Sequence, residues 1–398
     1  MKQGFQIMDS DFHVMEPNDL WERYLEEEWK PQAPKFVQNP RFPASSPGIV
    51  VQSKAIPAAK NDEMAVRTRS DLHLRMRARS SHYDLARERG FDPVTHLMAM
   101  DIEGVDVGVL YSTRGRHVIS HDDLDPRYAA ALCRAYNNWL YDYVQTNPQR
   151  MKIAAQVAFH DAELAAEEAR RAVTELGAVA IVGTPNPVNG HHVHDRFFDP
   201  LWKELERLGI PVGFHPTGVS SLRHDVGQRF LHHPAYSPIS HSVRNPAEAI
   251  FTVASLTAGG VLERFPNLTV AILESTCGWL PWLLWRLDEQ WEKFGPGCDV
   301  KLSAKPSEYF LRNCYIATDA DEESLRIVIN EIGDDRIVVS TDYPHDDSLF
   351  PNATDAFVGL KGVSDDSKRK ILWDNCASLY QLPKSDGLDD TKVKSSAS

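Results

Sequence analysis

Eight short β-branched or apolar runs, most of them followed by an amphipathic stretch, recur along the 398-residue chain, and this alternation limits the fold more than any other feature. Repeated βα units build parallel strands with helical crossovers, and eight of them point to a closed (β/α)8 barrel, a TIM barrel of the α/β class. The strands are expected at Gln6 to Asp11, Asp106 to Tyr111, Lys152 to Phe159, Val179 to Gly183, Pro211 to His215, Thr269 to Glu274, Cys314 to Thr318 and Arg336 to Asp342. The clearest helical pattern covers Tyr128 to Gln145, where Leu132, Tyr136, Trp139, Leu140, Tyr143 and Val144 share one face.

A long insertion, roughly Pro17 to Pro93, separates the first two strands and has no sustained period. Such an excursion is expected to form a lid or an oligomer contact. Its arginines Arg67, Arg69, Arg75, Arg77 and Arg79 read first as a solvated charged face, with an anionic substrate or a neighbouring subunit as the alternative. A second irregular stretch is expected over Thr217 to Pro246. One barrel domain over residues 1–384 accounts for the length, followed by a polar tail, 385–398, expected to be flexible.

The net charge of −13, from 56 acidic and 43 basic residues, repels phosphate backbones and anionic lipids, so no nucleic-acid or membrane partner is expected. No run approaches the roughly 18 apolar residues needed to span a bilayer, and the chain is expected to be cytoplasmic. Five widely spaced cysteines without a CxxC pair argue for reduced, mostly buried thiols rather than a disulfide framework or a thiolate zinc site.

Polar residues that end different barrel strands converge on one mouth. Here the first strand ends in Asp11-Phe12-His13, with Glu16 close behind; the fifth ends in His215, the sixth in Glu274 and the eighth in Asp342, three residues before His345. Asp11 and His13 are two apart and point to the same side of an extended chain. With His215 and Asp342 they could enclose one divalent ion, since imidazole and carboxylate suit zinc, manganese or iron.

Asp-x-Asp-x-His-x-x-Glu-Pro at 9–17, Met-Asp-Ile-Glu-Gly-Val-Asp at 100–106, Ala-Tyr-Asn-Asn-Trp-Leu at 135–140, Asp-Pro-Leu-Trp at 199–202, Pro-Val-Gly-Phe-His-Pro at 211–216, Gly-Val-Leu-Glu-Arg-Phe-Pro at 260–266 and Ser-Thr-Asp-Tyr-Pro-His at 340–345 together resemble the amidohydrolase-related metal-dependent family, which includes aminocarboxymuconate-semialdehyde decarboxylase. The resemblance implies a (β/α)8 barrel with the ion held by Asp11, His13, His215 and Asp342. Three departures bear on mechanism. Asp11 replaces the first His of the common His-x-His motif, the fourth strand has no Lys to carbamylate, and Glu274 stands where the decarboxylases carry a substrate-facing His.

The leading reading is a metal-dependent hydrolase or non-oxidative carboxy-lyase acting on a small organic, aromatic or carboxylated substrate. Zinc is the first choice of ion, with manganese or iron as alternatives, and Glu274 and Asp342 are the catalytic candidates. A dinuclear non-haem iron oxygenase is the second reading. Glu16 and Glu274, with His241, His345, His232 and His233, could complete a second ion site or support the first; Glu16 could equally cap the helix that follows it. A third reading is a metal-stabilised, non-catalytic subunit of a hetero-oligomer with a related chain. For the enzyme itself a homo-oligomer is expected.

Overall fold

The computed structural model of the chain describes residues 1–37, 48–51, 54–56, 83–217, 225–230, 233, 235–345 and 348–382. The arginine cluster at 67–79, His232 and the tail lie outside the described residues. Strand β1 (Met8–Val14) comes first. In the long interval after it, β2 (Lys35–Val37), β3 (Gly48–Val51) and β4 (Lys54–Ile56) form a small antiparallel sheet that the aperiodic sequence does not announce. Then come β5 (Val107–Ser112), β6 (Met151–Gln156), β7 (Ala180–Gly183), β8 (Val212–Phe214), β9 (Val270–Ile272), β10 (Cys314–Asp319) and β11 (Ile337–Ser340). From β1 through β5 to β11 each strand pairs in parallel with the next, and helices connect them, so the eight expected strands form a (β/α)8 barrel.

The largest shift from expectation is at β1, which runs on to Val14 instead of ending at Asp11. Its polar residues stay in the strand because the closing edge satisfies them. Ser10 Oγ donates to Val339 O at 2.6 Å, Thr341 N donates to Asp9 Oδ2 at 3.2 Å and Thr341 Oγ1 donates to the same carboxylate. His13 N donates to Tyr343 O at 2.7 Å. These contacts join β1 to β11. The pairing of β1 with β5 slips between Asp9 and Phe12, an irregularity of the kind that re-aims side chains at barrel rims. Burial pushes the Asp9 carboxyl up to about 7.

Local signals explain the helices. The helix Pro126–Val144 starts with proline at its first turn and is capped by Asp125, which accepts from Arg127 N at 2.9 Å and Tyr128 N at 3.1 Å. Its buried face carries Leu132, Tyr136, Trp139, Leu140, Tyr143 and Val144, as the spacing predicts. The stretch expected to be irregular up to Pro246 differs: a helix of 21 residues, Tyr236–Leu256, runs through that proline. A proline costs the helix one hydrogen bond, and burial of Ala249, Val253 and Leu256 on the same helix offsets it.

Two apolar layers result. One lies between strands and helices; the other fills the barrel, where Trp373, Cys376, Ala377 and Tyr380 pack with Met8 and Val107 at the strand starts and occupy the end opposite the mouth. Cys133, Cys277, Cys314 and Cys376 are buried free thiols and Cys298 is an exposed one. Among the described residues no helix is long and apolar enough to cross a membrane.

Candidate metal centre and active site

Asp11 and His13 project from β1 into the mouth, and both are fully buried. His215 follows β8 directly and is also buried. Its Nδ1 lies 2.9 Å from Pro216 O, so the proton assigned to Nδ1 is donated there and Nε2 faces the other two side chains. His13 Nε2 and His215 Nε2 are 3.1 Å apart, and Asp11 Oδ1 stands 3.3 Å from the first and 3.4 Å from the second.

Neither Asp11 oxygen has a hydrogen-bond donor among the described residues, although both are buried. A buried carboxylate so placed needs a cation or a shared imidazole proton. Ligand atoms that bind one divalent ion at about 2.0–2.2 Å lie about 2.8–3.6 Å from one another. The three contacts fall within that span, so the donor set fits a divalent ion. Asp342 and His345 form a second group that shares His13: His13 Nε2 is 3.4 Å from Asp342 Oδ1, and His345 Nδ1 is 2.6 Å from the same oxygen.

Glu274 lies two residues beyond β9, with Oε2 at 2.8 Å from His215 Nε2 and Oε1 accepting from Asn245 Nδ2 at 3.2 Å. Glu274 and Asp342 both adopt the left-handed backbone region, with φ of 42° and 56°. Non-glycine residues held there cost about 1–3 kcal/mol each, and such strain concentrates at functional sites.

Charge is tightly balanced. Burial and the Arg116 guanidinium push His215 toward its neutral form, yet the carboxylates of Asp11 and Glu274 prevail and hold it up at about 9. Burial, then the neighbouring His345, pushes His13 down to about 3. Burial would raise Asp11 and Glu274, but the adjoining imidazoles keep both carboxyls well below the usual range, and Arg116 adds to this at Glu274.

The remaining candidates are more dispersed. Glu16 sits at the start of the short helix Gly115–Ile119, where its carboxylate accepts from Ser112 Oγ at 2.7 Å and from the amides of Thr113, Arg114 and Gly115 at 3.1, 2.8 and 3.0 Å. His241 lines the mouth and His233 is exposed. A cavity of ≈ 370 Å³ opens above Glu274, walled also by Asn245, Asp319, Asp321 and Asp342. Burial, and then the charges of Glu322 and Glu274, push the Asp319 carboxyl up to about 7.

Arg116 is the residue that strand-end reasoning missed. Its guanidinium stands 2.9 Å from His215 Nδ1, 3.1 Å from Nε2 and 3.8 Å from Glu274 Oε2. The signal was present: Thr113-Arg114-Gly115-Arg116-His117 directly follows the second barrel strand.

A family model described as amidohydrolase matches residues 9–382. Gamma-resorcylate decarboxylase of Polaromonas sp. strain JS666 is 29% identical over 274 residues, 65% of this chain and 78% of that protein. The 2-amino-3-carboxymuconate-6-semialdehyde decarboxylase of Dictyostelium discoideum is 27% identical over 293 residues, 73% of this chain and 77% of its own. In fold, the chain matches the structure of dihydroxybenzoic acid decarboxylase from Polaromonas sp. JS666 with bound manganese and the inhibitor 2-nitroresorcinol, with a TM-score of 0.63 and 21% identity over 97% of this chain and 99% of that one. With the family model spanning β1 to the C-terminal plug of the barrel, the chain belongs to the amidohydrolase family.

Proposed function

We propose that this chain is a metal-dependent carboxy-lyase that removes carbon dioxide from a small aromatic acid without oxidation. The observation that carries the reading is the meeting of Asp11, His13 and His215 within 3.4 Å, with Glu274 held 2.8 Å from His215 beneath a cavity of ≈ 370 Å³. The two relatives named above are decarboxylases, and that volume suits a single substituted ring.

Asp11, His13 and His215 would hold the ion, with Asp342 beside them. When bound, a divalent ion supplies Lewis-acid polarisation of a substrate oxygen. Manganese, present in the Polaromonas structure, is the ion to test beside zinc, because a site with this much carboxylate favours hard cations.

The chain's own groups manage the proton. Loss of carbon dioxide breaks the bond between ring and carboxylate and leaves the electron pair on the ring carbon, which must then take a proton. Glu274, which the adjoining imidazole and Arg116 keep ionised, can take a proton from a hydroxyl of the substrate and pass it from Oε2 to the ring carbon, since its left-handed backbone sets it at the cavity floor. Asp319, with its carboxyl near 7 on the cavity wall, keeps a further proton at hand. Arg116 and Asn245 fix the orientation of the Glu274 carboxylate.

The experiment is elemental analysis of protein purified without added metal, paired with carbon dioxide release from a panel of dihydroxybenzoic acids. About one manganese or zinc per chain and metal-dependent release are expected. A fully metallated protein that releases carbon dioxide from none of the acids, with either ion, defeats the reading.

A further inference from the structure

Glu322, whose charge helps to hold up the Asp319 carboxyl, also sits across the turn from which Glu274 projects. It belongs to the loop after β10, whereas Glu274 belongs to the loop after β9. Glu322 accepts from Cys277 N at 3.0 Å to each oxygen and from Gly278 N at 2.8 Å. Thr318 Oγ1 donates to its Oε2 at 3.1 Å and Ser324 Oγ to its Oε1 at 2.5 Å, so both oxygens are committed to the clamp.

The clamped turn is unusual. Glu274 and Thr276 both stand in the left-handed region, with φ of 42° and 54°, although neither is glycine. Residues hold that conformation only where their surroundings enforce it. The two loops also approach closely, since a Cβ added at Gly278 would lie 2.5 Å from Ser324 Oγ. On the other side Trp279 Nε1 donates to Ser275 O at 2.8 Å, and so braces the middle of the turn.

We propose that Glu322 is a positioning residue for Glu274: by binding the Cys277 and Gly278 amides it fixes the left-handed turn that aims the Glu274 carboxylate at His215. This rests on the reading above, in which Glu274 carries the proton. Glu322 does not line the cavity. It acts through four residues of backbone, and its removal lets the turn relax to ordinary dihedral angles.

Glu322→Met tests this with the full chain as purified. Methionine is close in size but has no carboxylate oxygen, so the Cys277 and Gly278 amides lose their acceptor. In the crystal structure of the variant, Glu274 is expected to leave the left-handed region and its carboxylate to move out of hydrogen-bonding reach of His215, with metal content unchanged. Where an aromatic acid is turned over, kcat falls about 10- to 100-fold with KM little altered, and Glu274→Gln/Glu322→Met is no slower than Glu274→Gln alone. Thr318→Val, nearly isosteric, removes one donor from the clamp and is expected to lower kcat about threefold in the same direction.

A Glu322→Met structure with Glu274 still left-handed and still against His215 overturns the proposal, as do losses that multiply in the double variant. Should Glu322→Met fail to fold, unchanged kcat in Thr318→Val overturns it as well. Full kcat in Glu274→Gln instead defeats the proton role of Glu274, while the structural comparison still decides whether Glu322 sets the turn.

Discussion

The Arg116 guanidinium lies 2.9 Å from His215 Nδ1 and 3.1 Å from Nε2, so a buried cation rests against an imidazole that also faces two carboxylates. Arg116 adds to the lowering of the Glu274 carboxyl, behind the His215 charge and hydrogen bond that outweigh burial. Removal of the cation therefore raises that carboxyl toward its ordinary range. In Arg116→Met the acid limb of the pH–kcat profile is expected to move to higher pH, because Glu274 must be ionised before it takes up the substrate proton. An acid limb that stays in place would show that the guanidinium does not sense the ionisation of Glu274.

Asp11 provides the sharpest test of the ion site. Both its oxygens are buried without donors among the described residues, and the two neighbouring imidazole nitrogens stand at 3.3 and 3.4 Å. Asp11→Asn keeps the shape but removes the negative charge, so affinity for manganese or zinc is expected to fall at least 100-fold, measured by titration of the stripped protein. Affinity within a factor of three of the parent would take Asp11 out of the coordination shell.

Much of this was legible in the chain. All eight barrel strands lie where β-branched runs predict them, and the cluster of Asp11, His13 and His215 follows from matching polar residues at strand ends. What escaped was of two kinds. The β2–β4 sheet has strands of three or four residues, too short for a period to declare itself. Arg116 and Glu322 escaped because their importance is relational. Arg116 gains its meaning from a histidine 99 positions away, and Glu322 from amides 45 and 44 positions back. Glu16 shows the converse, because its spacing from His13 suits ligation while the fold sets its carboxylate against the amides at the start of Gly115–Ile119. Pattern reading finds groups that recur at equivalent strand ends, and misses those whose partners lie in loops elsewhere in the chain.

Tyr111 supports the site from below. Its ring stacks near His215, with centroids 5.9 Å apart, and its hydroxyl reaches that of Tyr380 at 3.3 Å. This packing needs Gly213, since a Cβ there would lie 2.3 Å from Tyr111 Oη. Gly213→Ala must therefore displace a fully buried tyrosine, at a cost of about 1–3 kcal/mol. A lower melting temperature and weakened metal binding are expected together, because the displaced ring lies against His215. Unchanged melting would mean that the barrel interior yields more easily than its packing suggests.

Far from the mouth, Glu204 ties helix Asp199–Leu208 to helix Ala162–Leu176. Arg207 donates to its carboxylate from Nε at 3.0 Å and Nη2 at 2.6 Å, and Arg170 Nε donates at 2.8 Å. Hydrogen bonds from Arg207, then those from Arg170, outweigh the effect of burial and bring the carboxyl down to about 2 from an ordinary 4.5. A carboxyl depressed in the folded state contributes stability that is present above the unfolded value and lost as pH falls through the folded one. The contribution of Glu204 should thus be intact above about pH 4.5 and vanish as pH falls toward 2. Glu204→Gln is expected to melt below the parent at pH 7, and the gap should close as pH falls through that window. A gap that persists unchanged at pH 2.5 would mean that the glutamate stabilises the helix pair by its packing, with its charge contributing nothing.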